Sequence, residues 1–329
     1  MDEVNKYFLS CDWGTSTFRL RLVETENLAI IGEESSHGGI AATFEQWQQY
    51  TNDKENRVLF YLAIVQKHLT LLEQKVKTPL QHVPLIISGM ASSTIGMMEV
   101  PYKELPFATD GSDLTVQTIK ASSDFPHDIY LISGSKTDSD VMRGEETQLV
   151  GCINESMSNE EQLFIFPGTH SKHITVKNNK VVAFQTYMTG EFFDLLSTKS
   201  ILSNSIEEGR GLQDENNRQS FGKGVLDSQQ FSLLHSCFLV RTNQLFQKLE
   251  RQQNYYYLSG LLIGVEIGAL VSKNPAFVTL VSNVRLEPYY VKALRLLLAT
   301  ENIKTESADK AMIRGQFRIY SHWKQIGVV

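Results

Sequence analysis

The sequence predicts an α/β fold built twice over, and three observations predict it. Two strand–turn–strand segments of one design stand in opposite halves of the chain. They are Phe8-Leu9-Ser10-Cys11-Asp12-Trp13-Gly14-Thr15-Ser16-Thr17-Phe18-Arg19-Leu20-Arg21-Leu22 and Leu163-Phe164-Ile165-Phe166-Pro167-Gly168-Thr169-His170-Ser171-Lys172-His173-Ile174-Thr175-Val176. In each, an apolar strand stops at a Gly-Thr turn and a second β-rich run returns. Each segment is then followed by a third strand, helical periodicity and further strands, a βββαβα-like order. Finally, 329 residues is near the size at which one core divides into two.

Taken in order, the first half predicts strands at residues 7–12, 18–23 and about 28–33. Apolar residues at helical spacing predict a helix over 57–74. Residues 84–88 read as a short buried strand ending at Gly89, and 129–133 as another. A helix is expected to start in the 139–145 region and reach about Asn154. The acidic stretch from Asn154 to Gln162 is the expected crossing point, giving domains 1–158 and 159–329. In the second half, strands are expected at 163–167, 172–177 and 181–186, with Asn178-Asn179 as a turn. Helices are expected at about 190–196, 228–249 and 256–271, a strand at 277–281, a helix at 288–299 and a last helix from about Ala308. The polar, glycine-containing stretch 203–224 reads as an irregular loop.

The composition, 42% hydrophobic and 21% charged, is that of an ordinary globular protein. A formal charge of −6 and the lack of any basic run argue against nucleic acid as the main partner. No apolar stretch reaches the ~20 residues that span a bilayer. The best one, from Tyr255 to Val271, carries Ser259 and Glu266. The polar Met1–Lys6 segment leads straight into a strand, which argues against a signal peptide. Three scattered cysteines form no CxxC pair, so a reducing cytoplasm is expected. There is neither a Gly-x-Gly-x-x-Gly after a strand nor a Walker A sequence, so any nucleotide must be held differently.

The two Gly-Thr turns suggest how. Glycine lets the backbone approach a ligand, and successive turn N–H groups can hold phosphate oxygens. A matched pair suggests two domains facing a nucleotide, the layout of a phosphotransferase. Asp12 ends its strand beside the turn Gly14, Thr15, Ser16 and Thr17. Mg²⁺ keeps several waters, so one carboxylate plus ATP phosphates would suffice to hold it. A plain hairpin with an Asx-type turn is the alternative. Arg19 or Arg21 would add charge there, with one of the two facing solvent. The second turn, Gly168, Thr169, His170, Ser171 and Lys172, has no Asp, which fits gripping phosphate rather than metal. Lys172 either neutralises the transferring group or is an exposed strand residue. His170 reads as a hydrogen-bonding turn residue rather than a base.

Asp138-Ser139-Asp140-Val141-Met142-Arg143-Gly144-Glu145-Glu146-Thr147-Gln148 is the richest charge cluster. Its carboxylates can cap a helix and need no other purpose. Arg143, among four acids, could instead grip an acidic substrate bidentately. Phosphoryl transfer to a hydroxyl also needs a carboxylate to take the proton. Ser88, Gly89 and Met90, followed by small residues, either line a sugar pocket or form a structural loop. Glu191 complements a helix dipole, and Gly260, Gly264 and Gly268 lie on one helical face suited to close packing.

Together these segments resemble the 2-dehydro-3-deoxygalactonokinase family. The resemblance rests on Asp12-Trp13-Gly14-Thr15-Ser16, Ser88-Gly89-Met90 and Val141-Met142-Arg143-Gly144-Glu145-Glu146-Thr147-Gln148. It continues through Pro167-Gly168-Thr169-His170-Ser171-Lys172, Met188-Thr189-Gly190-Glu191 and Leu258-Ser259-Gly260-Leu261-Leu262-Ile263-Gly264. It implies two RNase H-like domains of the actin/hexokinase type closing over Mg-ATP in an interdomain cleft. It implies ATP-dependent phosphorylation of 2-dehydro-3-deoxy-D-galactonate at its 6-hydroxyl, with ATP and Mg²⁺ as cofactors. A homodimer is an admissible assembly. Asp12 would hold the metal, and the turns Gly14–Thr17 and Gly168–Lys172 the phosphates. Arg143, with Ser88, Gly89 and Met90, would take the sugar acid. Glu146, next to Thr147, is favoured as the base, with Glu145 and Asp140 as rivals. One departure is that residues 281–285 contain no glycine where the superfamily's adenosine loop has one. Asn283 is the residue there best suited to a left-handed conformation. Another is the atypical segment 309–319, expected on the nucleotide side of the second domain. The glycine-free loop motivates an alternative: an impaired relative that binds the sugar acid as a sensor.

Overall fold

The computed structural model describes residues 5–50, 57–153 and 160–326. The expected signal-free start (in part), the end of the first-half helix at Asn154 and most of the acidic crossing segment fall outside them. The chain divides into two compact units. The first is Met1–Ser158, Asn179–Ala183 and Ala308–Val329; the second is Asn159–Asn178 and Phe184–Ser307.

In the first unit β1 (Tyr7–Trp13), β2 (Phe18–Glu24) and β3 (Ile30–Ser36) form an antiparallel meander. Helices α1 (Ile40–Tyr50) and α2 (Arg57–Val76) follow, then β4 (Leu85–Gly89) returns parallel to β1. The short strands β5 (Lys103–Glu104) and β6 (Phe107–Ala108) precede β7 (Val116–Ile119) and β8 (Ile129–Ile132). After β9 (Ser135–Lys136) and β10 (Val141–Met142) comes α3 (Glu145–Cys152). The main sheet runs β3-β2-β1-β4-β8-β7, with β4 and β8 parallel. Alternation along β1 sends Leu9, Cys11 and Trp13 into a core shared with Tyr61, Val65, Leu69 and Leu72, a helical stripe on α2. Phe8, Ser10 and Asp12 therefore face the opposite side, where Phe8 stacks on Phe317 at 5.4 Å.

The second unit repeats the plan. It contains β11 (Gln162–Phe166), β12 (Ser171–Lys177), β13 (Lys180–Tyr187), α4 (Thr189–Thr198), α5 (Glu215–Asp227), α6 (Leu233–Leu245), α7 (Arg251–Gly268), β14 (Val278–Ser282), α8 (Glu287–Leu297) and β15 (Ile303–Ser307). The six-stranded sheet runs β6-β13-β12-β11-β14-β15, with β11/β12 antiparallel and β11/β14/β15 parallel. Both sheets thus carry the 3-2-1-4-5 order of an RNase H-like domain. Asn178 and Asn179 make the expected hairpin turn, with φ of 51° and 55°.

Several expectations need correction. The stretch expected to be irregular holds α5, whose N-terminus is capped by the Asp214 carboxylate accepting from Asn217 N–H. Its polar first turns and its glycines read as loop, but the glycine makes room for α7: a Cβ on Gly224 would lie 2.2 Å from the Tyr257 carbonyl oxygen. Helix α1 and strand β15 were not foreseen, and the helix expected over 228–249 starts only at Leu233. The last helix, α9 (Ala308–Ile326), belongs to the first unit, so the segment 309–319 is not on the second domain's side. It lies on α3, because a Cβ on Gly151 or Gly315 would come within 1.8 Å of the facing backbone oxygen. The start of β13 also partitions with the first unit, where Lys180 and Val181 pair with Ala108 and Phe107.

Candidate active site

In the first unit the chemistry gathers where β1 and β4 end side by side. Asp12 pairs in register with Ser88 on one side and Arg19 on the other. Its carboxylate is half-buried. Burial pushes its pKa up, and the nearby Arg19 and Arg21 guanidinium groups pull it back. Both arginines project from one face of β2, two residues apart, and neither is a free solvent residue. Arg19 and Arg21 bond Asp309 of α9 at 2.5 and 2.8 Å, and Arg21 also bonds Glu33 at 2.6 Å. The expectation that one arginine would face solvent fails because residues i and i+2 of a strand share a face.

The turn itself is closed by Gly14 N–H donating to the Thr17 carbonyl at 2.9 Å, which leaves Thr15, Ser16 and Thr17 exposed. It is backed by a segment the sequence reading missed. Ile40 N–H donates to the Gly14 carbonyl, and a Cβ on Gly39 would sit 2.3 Å from the Thr15 carbonyl oxygen. The Gly38-Gly39 pair was the available signal.

Gly89 adopts φ 93°, ψ −153°, a conformation reserved for glycine. A Cβ there would lie 2.7 Å from the Trp13 carbonyl oxygen and 3.6 Å from Asp12 Oδ1. Gly144, at φ 109°, packs directly on Gly89: its missing Cβ would be 3.6 Å from Gly89 Cα. Gly144 also precedes α3 and donates its N–H to both carboxylate oxygens of Glu146, at 2.8 and 2.9 Å. Asp12, Gly89, Gly144 and Glu146 therefore form one contiguous patch. Glu146 is 1% exposed. Burial, with the Glu145 charge beside it, pushes its pKa up to about 8, against the bonds from Gly144 and Thr147.

The other sequence candidates are placed differently. Arg143 lies over the Tyr102 ring at 3.9 Å and donates to Ser92 Oγ at 2.6 Å and the Val100 carbonyl at 3.2 Å. Glu145 accepts from Arg143 N–H at 3.1 Å, beside Glu146. Asp140 sits in the β9–β10 turn and accepts from Val141 N–H at 2.7 Å. Ser88 is fully buried, its hydroxyl accepting from Gln316 Nε2 at 3.2 Å, and Met90 packs on the core.

The second unit holds a pocket of about 470 Å³. Gly168 and Thr169 form one wall, Thr189, Gly190 and Phe193 of α4 and its start another, and Tyr255 and Ser259 of α7 a third. Asn283, Arg285, Tyr289 and Tyr290 complete it, with Glu208 at its edge. The glycine-free loop needs no left-handed residue. Asn283 has ordinary φ, and its Oδ1 accepts from Arg285 and Leu286 N–H at 3.0 Å each, closing the turn that leads into α8. Of the turn residues, His170 is exposed and bonded to Glu191 at 2.5 Å, while Ser171 is buried. Lys172 is buried too, on the opposite strand face from Ser171 and His173, so it is not the exposed residue that was one of its two readings. Among the described residues no cluster of three His, Cys, Asp or Glu could hold a metal ion, and no helix is long and apolar enough to cross a membrane.

The chain as a whole is similar to known proteins. The family model described as 2-keto-3-deoxy-galactonokinase matches residues 12–319. A probable 2-dehydro-3-deoxygalactonokinase of Rhizobium meliloti (strain 1021) is 31% identical over 317 residues, 94% of this chain and 95% of that one. The 2-dehydro-3-deoxygalactonokinase of Escherichia coli (strain K12) is 29% identical over 303 residues, 88% and 90% of the two chains. A crystal structure described as a candidate 2-dehydro-3-deoxygalactonokinase from Sinorhizobium meliloti superposes with TM-score 0.77 at 31% identity, covering 98% of each chain. The ADPNP-bound activator of 2-hydroxyisocaproyl-CoA dehydratase from Clostridium difficile shares the fold, with TM-score 0.51 at 14% identity over 98% of each chain.

Proposed function

The chain belongs to the 2-keto-3-deoxy-galactonokinase family, and from that premise we propose that it transfers the γ-phosphoryl group of ATP to the 6-hydroxyl of 2-dehydro-3-deoxy-D-galactonate. The observation that carries this reading is the patch Asp12–Gly89–Gly144–Glu146, a half-buried carboxylate and a buried one of raised pKa separated by two side-chain-free residues. An acceptor hydroxyl laid against glycine backbone there would have a proton acceptor beside it. Glu146, ionised, takes the hydroxyl proton as the oxygen attacks phosphorus and the bond to the ADP oxygen breaks. Thr147 and the Gly144 N–H orient that carboxylate.

Arg143 is the residue for the substrate carboxylate. Its guanidinium is stacked on Tyr102 and tethered at two nitrogens, while its buried Nε has no hydrogen-bond partner among the described residues. A group held in one orientation loses little freedom when it binds an anion. Thr15, Ser16 and Thr17 would hold phosphate oxygens in the first unit, and the Gly168–Thr169 backbone in the second. The pocket of the second unit has the size of a ligand site and aromatic walls suited to the adenine ring.

Mg²⁺ fits the donors present. Asp12 offers one carboxylate beside three exposed hydroxyl residues, an all-oxygen set for a hard cation that draws its other ligands from phosphate and water. Bound there, the ion would neutralise phosphate charge. The sensor alternative loses its motive, because the loop at Asn283 borders an open pocket rather than filling it.

The test is ADP release with ATP, Mg²⁺ and a panel of 2-dehydro-3-deoxy sugar acids. Turnover is expected with the galactonate isomer above all others. ADP release that no acid stimulates, from folded protein, would sink the proposal.

A further inference from the structure

One buried acid of the second unit has no part in the roles above. Glu266 lies on α7 and is 1% exposed. Three side chains from three other elements reach its carboxylate. His173 Nε2, on β12, lies 2.9 Å from Oε1. Thr189 Oγ1, at the start of α4, donates to Oε2 at 2.5 Å, and the Tyr290 hydroxyl, on α8, donates to Oε2 at 2.8 Å. Ser171 Oγ is 2.9 Å from the Tyr290 oxygen, and Gly168 N–H reaches Ser171 Oγ at 3.4 Å.

With the Tyr290 proton committed to Glu266, its oxygen accepts from Ser171, and the Ser171 oxygen from Gly168. The bonds therefore run in one direction, from the amide of the Gly-Thr turn to a buried carboxylate. Two hydroxyl donors and the His173 ring nitrogen meet both oxygens of this carboxyl group. A carboxyl group in a protein interior is costly unless its oxygens are bonded in this way. An apolar side chain would pack α7 against β12 and α8 more cheaply. What the carboxylate adds is geometry: it ties together Gly168, Thr189 and Tyr290, which border the pocket from three elements.

We propose that Glu266 is a positioning residue of the nucleotide site, holding the Gly168–Ser171 turn at a fixed place against α4 and α8 so that the pocket receives ATP preformed. The proposal rests on reading that pocket as the ATP site. Preformed sites keep the ordering cost out of the binding free energy, so the loss should fall on ATP affinity.

Three variants of the full-length protein test it: Glu266→Gln, Tyr290→Phe and Tyr289→Ala. ATP affinity is read by calorimetry, alongside KM for each substrate, kcat and Tm. Glu266→Gln should weaken ATP about tenfold, with KM for the sugar acid within twofold. Tyr290→Phe should weaken it about threefold, and the double variant should be no worse than Glu266→Gln alone. Unchanged ATP affinity in Tyr290→Phe overturns the proposal even if Glu266→Gln fails to fold. So does a Glu266→Gln loss shared equally between both substrates and Tm. Tyr289→Ala separates the two layers, since Tyr289 borders the pocket without bonding Glu266. If it weakens ATP and the other two do not, the positioning role alone is wrong. If it leaves ATP untouched, the pocket is not the ATP site and the proposal falls with it.

Discussion

After β1 the chain turns at Gly14, with Thr15, Ser16 and Thr17 exposed and the half-buried Asp12 carboxylate just behind them. After β11 it turns at Gly168, with Thr169 and His170 exposed, no acid within the turn and Ser171 drawn into the interior. The two sheets share the same 3-2-1-4-5 run of strands, so topology does not separate the turns. What separates them is the placing of the buried acid. In the first unit Glu146 is met by the Gly144 N–H, its own backbone N–H and its neighbour's hydroxyl, all local, with the Glu145 charge alongside, and its pKa is pushed up to about 8. In the second, Glu266 is met by side chains from three elements. The first arrangement suits a group that must take up and release a proton. The second suits a fixed anchor.

The largest break in this comparison comes from Asp12→Ala. If the first turn handles metal-bound phosphate, kcat should fall roughly 10³-fold, the scale of losing one preorganised electrostatic contact or more. Tm should stay within a few degrees, because removing a carboxylate whose charge is disfavoured by burial costs the fold little. Turnover within tenfold of the parent would take Asp12 out of the site.

Glu146→Gln sharpens the comparison from the other side. As the proton acceptor, Glu146 should contribute roughly 10²- to 10³-fold to kcat. The parent kcat should rise with pH as this carboxyl ionises, levelling above about pH 8. The glutamine variant should lose that limb. Stability should move the opposite way. The folded-state pKa lies above the unfolded value, so the native state binds more protons and stability falls as pH climbs from about 4.5 to about 8. Denaturant titrations across that window check it: Glu146→Gln should flatten the slope, and an unchanged slope would show that another group carries it.

How much of this was legible in the sequence follows from which residues act locally. Both Gly-Thr turns, their flanking strands and the Asn178-Asn179 hairpin were readable, because alternation and turn chemistry are short-range signals. Glu146 was readable as a helix-start acid among several. Glu266 was not, since a single acid among Leu, Ile and Gly looks like a face of a packing helix, and its partners sit 93, 77 and 24 residues away. Arg19 and Arg21 have the same history: their partner Asp309 is on α9, 290 residues beyond Arg19. Helix α5 escaped because the glycines that fit it to α7 read as loop.

The smallest expected effect discriminates most finely between the turns. Ser16 and Ser171 occupy comparable turns, one exposed and one buried. Ser16→Ala removes a hydroxyl that water already reaches, so Tm should not move and KM for ATP should rise only a few-fold. Ser171→Ala removes a link between Gly168 and Tyr290, leaving the Tyr290 oxygen without its buried donor. That should cost about 1 kcal/mol of stability as well as ATP affinity. Equal behaviour of the two variants in a paired denaturation and ATP titration would mean that both turns are simple phosphate clips. A stability loss confined to Ser171→Ala would show the second turn to be part of the interior behind it, and the first to be independent of its own.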